Sequence, residues 1–282
     1  ITDCLDRVDL GVPDVDYLLF VSTTGVATPS IDARLIERMP FRRNVKRLPI
    51  WGLGCAGGVA GLSRAMDIVR GRPDARVLVV VVELCGLTFM HEDLTKANLI
   101  ATALFGDGAA AVCIEADDTK ENVGLIASAL HADGNFADAL KTELPASNLF
   151  KRFPDDIPMD DPRYFAVMDG PAIFKKAVRM LPKVTLEVLK KAGMKLEDVG
   201  LVIPHQANKR INQAYGQFMK LPENKIFHNI EKYGNTTSAT IPLLLNDYES
   251  QLKKGDKIIF AAFGGGFTWG SIYFKWAYNS QN

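Results

Sequence analysis

Leu53-Gly54-Cys55-Ala56-Gly57-Gly58 sets a cysteine on a tight glycine turn, after a strand-like run (Arg47 to Trp51) and before a helix-like one (Ala56 to Arg70). A strand that turns sharply into a helix is the repeating unit of α/β folds. The pattern recurs in the second half. There Val199 to Ile203 reads as a strand, and Pro204-His205-Gln206-Ala207-Asn208 leads into a helix expected over His205 to Met219. In each half a reactive side chain follows a strand and opens a helix. That parallel predicts an internal duplication.

Working outward, Asp16 to Ser22 reads as a strand, and Ser30 is placed to cap a helix through Ile31, Leu35 and Ile36. Arg76 to Glu83 is a continuous apolar run of the kind found in a parallel sheet covered on both faces. Gly108 to Glu115 and Val123 to Leu130 are further strands. Ala132 to Asp161 carries Gly, Asn, Pro and the acidic cluster Asp155, Asp156, Asp160 and Asp161, and reads as loop. Gly170 to Ala192 has helical period with a kink expected at Pro182. Thr236 to Leu252 is helical, and Lys257 to Phe263 and Ser271 to Trp276 are the last strands. The resulting division is residues 1–131, a loop-rich connection over 132–164, and residues 165–282.

The chain has 282 residues, 48% of them hydrophobic, with 33 basic and 33 acidic side chains. A sizeable core is affordable. The charge balance gives no reason to expect nucleic acid or a membrane surface as partner. The longest apolar runs are far too short to span a bilayer. Cys4, Cys55, Cys85 and Cys113 form no CxxC pair or framework, which suits reduced thiols in the cytoplasm. His91, His131, His205 and His228 lie far apart without metal-ligand spacing, so no metal site is expected.

Three segments carry chemistry. Cys55 at a helix N-terminus would sit beside unsatisfied N–H groups that favour thiolate. His205 stands at a strand end. Asn235 lies in Tyr233-Gly234-Asn235-Thr236-Thr237-Ser238, at another strand-to-helix junction. Each alone reads equally as structure: a buried cysteine, a core histidine, a turn asparagine. Their joint occurrence at three such junctions points to nucleophilic chemistry. Phe263-Gly264-Gly265-Gly266-Phe267-Thr268-Trp269-Gly270 adds a glycine loop whose backbone N–H groups could approach a ligand.

These segments resemble the thiolase superfamily of condensing enzymes. Pro204-His205-Gln206-Ala207-Asn208, Tyr233-Gly234-Asn235-Thr236 and Ala262 to Gly270 look most like β-ketoacyl-acyl-carrier-protein synthase III. Ser22 to Pro29, Gly54-Cys55-Ala56-Gly57-Gly58 and Ala103 to Ala111 look more like the type III polyketide synthases, the chalcone-synthase relatives. The resemblance implies a duplicated five-layer αβαβα fold, here lacking the first N-terminal strand-helix unit, so that apolar surface and strand groups would be left unpaired. It implies catalysis by Cys55, His205 and Asn235, with the N–H groups of Cys55 and Gly265 as oxyanion hole. An acyl group from acyl-CoA would load Cys55, and a malonyl thioester would lose carbon dioxide and condense with it. No cofactor is implied beyond these substrates.

Other implied positions are Thr28, Phe105, Gly170, Phe174 and Asn208 for substrate and Lys209 and Arg210 for a carrier protein. Thr28 would reach across a homodimer to limit the partner's acyl pocket. Its small size implies a longer or branched primer. Departures from the synthase III pattern are Asn98-Leu99, where that family has Asp-Arg, and Pro171, where it often has Asn. Two alternatives stay open: a polyketide synthase extending on malonyl-CoA, and a non-catalytic acyl-binding or scaffold homologue. A degradative thiolase fits poorly, since the final glycine loop holds no second cysteine.

Overall fold

A computed structural model describes residues 1–88, 93–116, 121–141 and 167–279. His91 and the acidic cluster at 155–161 lie outside the described residues. The strands are β1 (Tyr17–Ser22), β2 (Lys46–Trp51), β3 (Val77–Glu83), β4 (Gly108–Ile114), β5 (Gly124–Ala132), β6 (Leu140–Lys141), β7 (Val167–Met168), β8 (Leu201–Pro204), β9 (Lys257–Gly264) and β10 (Thr268–Lys275). The helices are α1 (Thr2–Asp6), α2 (Ile31–Arg38), α3 (Gly57–Gly71), α4 (Lys96–Leu104), α5 (Gly170–Lys191), α6 (Lys209–Met219), α7 (Ile230–Tyr233) and α8 (Thr240–Tyr248).

Two four-stranded sheets form, in the orders β2-β1-β3-β4 and β5-β10-β9-β8. Each has the same plan. β1 runs parallel to β3, which runs antiparallel to β4. β8 runs parallel to β9, which runs antiparallel to β10. Outside β1 lies parallel β2, and outside β8 a parallel bridge joins Val202 to Ile226. The expected duplication is therefore visible in topology. The last positions differ. β10 also pairs with β5, whereas among the described residues β4 pairs only with β3. The boundary expected at residue 131 puts β5 in the first half, but its pairing puts it in the second sheet.

Alternation along the strands sorts side chains into layers. Leu19 and Val21 of β1, and Val77, Val79 and Val81 of β3, face inward onto Val59, Leu62 and Ala65 of α3 and Ile241 and Leu244 of α8. Ile258, Phe260 and Ala262 of β9 reach the same core from the other sheet. Leu18, Phe20, Leu78 and Val80 face outward, under Leu5 of α1 and Ile31 and Leu35 of α2. Ile259, Ala261 and Phe263 face outward on the second sheet, under α5 and α6. The layers are thus helix, sheet, central helices, sheet, helix, as expected.

Several expected elements shift. α6 begins at Lys209 rather than His205, because the Asn208 side chain caps it by accepting the Arg210 N–H at 2.9 Å. The helix expected over Thr236 to Leu252 is an α-helix only over Thr240–Tyr248, with a 3₁₀ turn on each side. β10 starts three residues early, since Trp269 and Gly270 pair with Phe263 and Ala262 in a tight hairpin. Ser30 precedes α2 but makes no side-chain cap; its hydroxyl accepts from Arg47 at 2.9 Å instead. α5 runs as one helix through buried Pro182, and Pro171 falls in its first turn, where a missing N–H costs nothing. Among the described residues, no helix is long and apolar enough to cross a membrane.

Candidate active site

Cys55 lies in a 3₁₀ turn, Gly54–Ala56, that runs into α3. Gly54 sits at φ 53°, where a side chain would be strained, and a β-carbon there would stand 3.1 Å from the Gly265 nitrogen. A β-carbon on Gly264 would stand 2.6 Å from the Ala56 nitrogen and 2.8 Å from the Cys55 nitrogen. The glycines therefore let the cysteine turn and the β9–β10 hairpin meet backbone to backbone. This brings together the two N–H groups expected to form an oxyanion hole.

His205 and Asn235 come from the second half. The His205 backbone N–H donates to Ala261 of β9 at 2.8 Å, and its carbonyl accepts from Asn212 Nδ2 at 3.2 Å. Its ring Nδ1 lies 2.6 Å from Thr240 Oγ1. Asn235 follows α7, and Asp247 of α8 grips that helix by accepting from Asn229 Nδ2 at 3.0 Å, Lys232 Nζ at 3.2 Å and the Tyr233 hydroxyl at 3.1 Å. The Asn235 N–H donates to Leu104 at 2.7 Å, and its carbonyl accepts the Gly106 N–H at 3.1 Å, which puts Phe105 beside it. The Asn235 Oδ1 accepts the Thr237 N–H at 2.9 Å, turning the amide so that it hydrogen-bonds Cys55. Thr237 holds φ 51°, an outlier for a β-branched residue. Cys55, His205 and Asn235 are 9%, 5% and 3% exposed, so each of the three sequence-predicted residues is buried.

The electrostatics correct one expectation. Burial pushes the Cys55 thiol up to about 12, with the nearby Glu83 and Cys85 adding to the rise and the Asn235 hydrogen bond opposing it. The resting sulfur is a thiol, because desolvation outweighs the pull of the helix N-terminus. Burial pulls His205 down to about 3, so its imidazole is neutral. Burial thus leaves a protonated thiol at Cys55 and a neutral imidazole at His205.

Glu83, unassigned on sequence, is fully buried at the end of β3. It accepts from the Thr23 and Thr24 N–H groups, the Thr24 hydroxyl at 2.8 Å and the Ser238 hydroxyl. Its signal was available as a lone acid closing a seven-residue apolar strand. Cys85 is buried with its sulfur 3.2 Å from Thr237 Oγ1. Thr240 and Thr237 gave no signal, since hydroxyls in a turn are commonplace.

Other expected residues distribute differently. Gly170 opens α5 and Phe174, 40% exposed, lies one turn on. Asn208, Lys209 and Arg210 are exposed around the start of α6. Thr28 is exposed between β1 and α2. Asn98 sits in the first turn of α4, where its Nδ2 donates to the Asp93 carbonyl at 2.7 Å.

Residues 189–276 match the family described as 3-oxoacyl-[acyl-carrier-protein] synthase III, C terminal. Residues 3–118 match the N-terminal domain of chalcone and stilbene synthases. The chain is 35% identical over 271 residues to a putative chalcone synthase of Bacillus subtilis, covering 93% of this chain and 71% of that protein. It is 35% identical over 269 residues to a β-ketoacyl-[acyl-carrier-protein] synthase III of Phocaeicola vulgatus, covering 95% and 77%. The crystal structure of 3-oxoacyl-[acyl-carrier-protein] synthase III from Aquifex aeolicus superposes with a TM-score of 0.82 at 31% identity, covering 96% of this chain and 80% of that one.

Proposed function

The chain belongs to the thiolase-like condensing enzymes, within the β-ketoacyl-acyl-carrier-protein synthase III group and its chalcone synthase relatives, and on that premise we propose that Cys55, His205 and Asn235 carry a decarboxylative Claisen condensation. It is an acyltransferase of the 3-oxoacyl-acyl-carrier-protein synthase III type, as in fatty acid biosynthesis. The single observation behind the residue roles is that all three are buried and held by specific contacts. Asn235 hydrogen-bonds Cys55, Thr237 holds the Asn235 amide, and Thr240 meets His205.

In the first half-reaction the Cys55 sulfur attacks the acyl-CoA carbonyl. The sulfur–carbon bond forms, the bond to the CoA sulfur breaks, and CoA leaves carrying the Cys55 proton. The Cys55 and Gly265 N–H groups hold the oxyanion. In the second, a malonyl thioester places its carbonyl oxygen against His205 Nε2 and Asn235 Nδ2. Its carbon–carbon bond to the carboxylate breaks, carbon dioxide leaves, and the electron pair becomes an enolate held by those two donors. The enolate carbon attacks the acyl-Cys55 carbonyl. The carbon–sulfur bond breaks, and a proton from water restores the thiol. Decarboxylation supplies the carbanion, so neutral donors suffice and no redox or electron-sink cofactor is called for.

Malonyl-carrier protein is the proposed extender, docking at exposed Lys209 and Arg210, with the pantetheine arm passing Asn208, Phe174 and Gly170 and Phe105 lining the pocket. A homodimer would bring Thr28 to the partner's acyl pocket. Use of CoA thioesters is in keeping with a cytoplasmic enzyme. The chalcone-synthase match over residues 3–118 favours one second reading, extension on malonyl-CoA.

Intact mass of the protein after mixing with acetyl-, octanoyl- and branched acyl-CoAs tests the roles. The expected result is an adduct, larger for octanoyl than acetyl, lost in Cys55→Ala and discharged by malonyl-carrier protein. Discharge by malonyl-CoA into multiply extended products would establish the polyketide reading. An undiminished adduct in Cys55→Ala would refute the nucleophile.

A further inference from the structure

Glu83 is the last residue of β3 and is wholly buried. A buried carboxyl is costly unless donors are supplied to its oxygens. Here the donors come from two turns, one in each half of the chain. In the first half the Thr23 and Thr24 N–H groups donate to it at 3.1 and 3.0 Å, and the Thr24 hydroxyl at 2.8 Å. That hydroxyl has its proton to give, because its oxygen accepts from the Leu84 N–H at 2.8 Å. In the second half the Ser238 hydroxyl meets the same carboxyl. The backbone N–H groups can only donate, and a hydroxyl can pair with a carboxyl in either protonation state. The arrangement therefore does not hang on where one proton sits.

Each turn leads on to a member of the catalytic set. Thr23 Oγ1 accepts the Gly54 N–H at 2.9 Å, and the Thr23 carbonyl accepts from the Trp51 indole N–H at 3.0 Å. The loop after β1 thus holds the Cys55 segment at two points, one of them the residue directly before the nucleophile. Ser238, 1% exposed, lies in the 3₁₀ turn Thr237–Ala239, and the Thr237 N–H of that turn sets the Asn235 amide. Glu83 is joined to both.

We propose that Glu83 is a positioning residue that ties the Cys55 turn, through Thr23, and the Asn235 turn, through Ser238, to one fixed point at the end of β3. The inference rests on the roles given to Cys55 and Asn235 above. Glu83 acts through the two turns and passes no proton. Its two arms have separable effects. Cutting the Thr23 arm loosens the nucleophile and its oxyanion N–H, which slows acyl loading. Cutting the Ser238 arm loosens the amide that holds the enolate, which slows decarboxylation.

Thr23→Val removes one hydroxyl at nearly constant shape, and Thr23→Ser keeps it. Loading from octanoyl-CoA, followed by intact mass, is expected to fall roughly tenfold in the valine variant relative to its own rate of malonyl-CoA decarboxylation, and to recover with serine. Ser238→Ala is expected to show the opposite split, with decarboxylation falling roughly tenfold relative to loading. Glu83→Leu should slow both steps, and adding either arm variant to it should slow them little further, since both arms end on the same carboxyl. The single-arm variants decide the matter where the leucine variant does not fold. Amide hydrogen exchange reads the clamp without catalysis: the Gly54 N–H is expected to exchange roughly tenfold faster in Thr23→Val, and the Thr237 N–H in Ser238→Ala. Parallel loss of both half-reactions in either arm, no recovery with serine, fully additive losses on Glu83→Leu, or unchanged exchange at both amides overturns the proposal. An undiminished adduct in Cys55→Ala, or undiminished decarboxylation by Asn235→Ala, would instead defeat the roles given to those residues, and the exchange rates would still report the clamp.

Discussion

At the residue scale, burial governs the chemistry more than local sequence does. Cys55 was legible from its glycine turn, but its protonation state was not, because the groups that bury it, and Glu83 and Cys85, arrive from other parts of the chain. Alkylation tracks thiolate, so labelling of Cys55 by iodoacetamide is expected to keep rising through pH 9.5, towards a midpoint of about 12. A plateau by pH 9, read from the mass of the Cys55 peptide, would contradict this. His205 gives a second handle. Its folded value of about 3 lies below the ordinary 6.5, so on acidification the unfolded chain takes up the proton first. The stability it contributes is complete above pH 6.5 and is lost as pH falls towards 3. Between pH 7 and 5, urea unfolding of the wild type should lose about 2 kcal/mol more than unfolding of His205→Gln. Equal losses would mean that the ring is solvated.

At the element scale, two turns packed against each other make the site. The Cys55 turn and the β9–β10 hairpin meet where Gly264 leaves no room for a β-carbon, with the Leu53 carbonyl 2.7 Å from where one would stand. All the atoms it would strike are backbone and cannot rotate away. Gly264→Ala is expected to cost about 1–3 kcal/mol in unfolding free energy. It should also slow acyl loading of Cys55 at least tenfold, roughly the effect of misplacing one oxyanion donor by a fraction of an ångström. An alanine variant with normal loading would show that this approach is not needed. The glycines themselves were readable in sequence. Their mutual contact was not, since residues 54 and 264 are joined only by the pairing of the two halves. The start of α6 shows the converse: period alone extended it to His205, whereas the Asn208 cap ends it at Lys209 and leaves His205 on a strand end.

At the scale of the whole molecule, one apolar core serves both sheets. Val59 and Leu62 of α3 and Ile241 and Leu244 of α8 lie between β1 and β3 on one side and β9 and β10 on the other. Leu244 is fully buried there. Leu244→Ala should destabilise by about 2–5 kcal/mol and shift a single cooperative transition, since the cavity touches both sheets. Two separated transitions would mean that the halves unfold independently. By itself the sequence determined the alternation of strands and helices and the doubled plan, because periodicity and turn chemistry are local properties, and it singled out Cys55, His205 and Asn235 as candidates by their joint occurrence and their resemblance to a known family. Only the tertiary structure decided that β5 joins the second sheet, that Glu83 and Cys85 stand near the nucleophile, that the thiol is protonated and that Thr240 meets the histidine ring. Each of these depends on contacts between residues tens to hundreds of positions apart. Desolvation and hydrogen bonding act on whatever the fold brings within a few ångströms, and sequence neighbours do not reveal that.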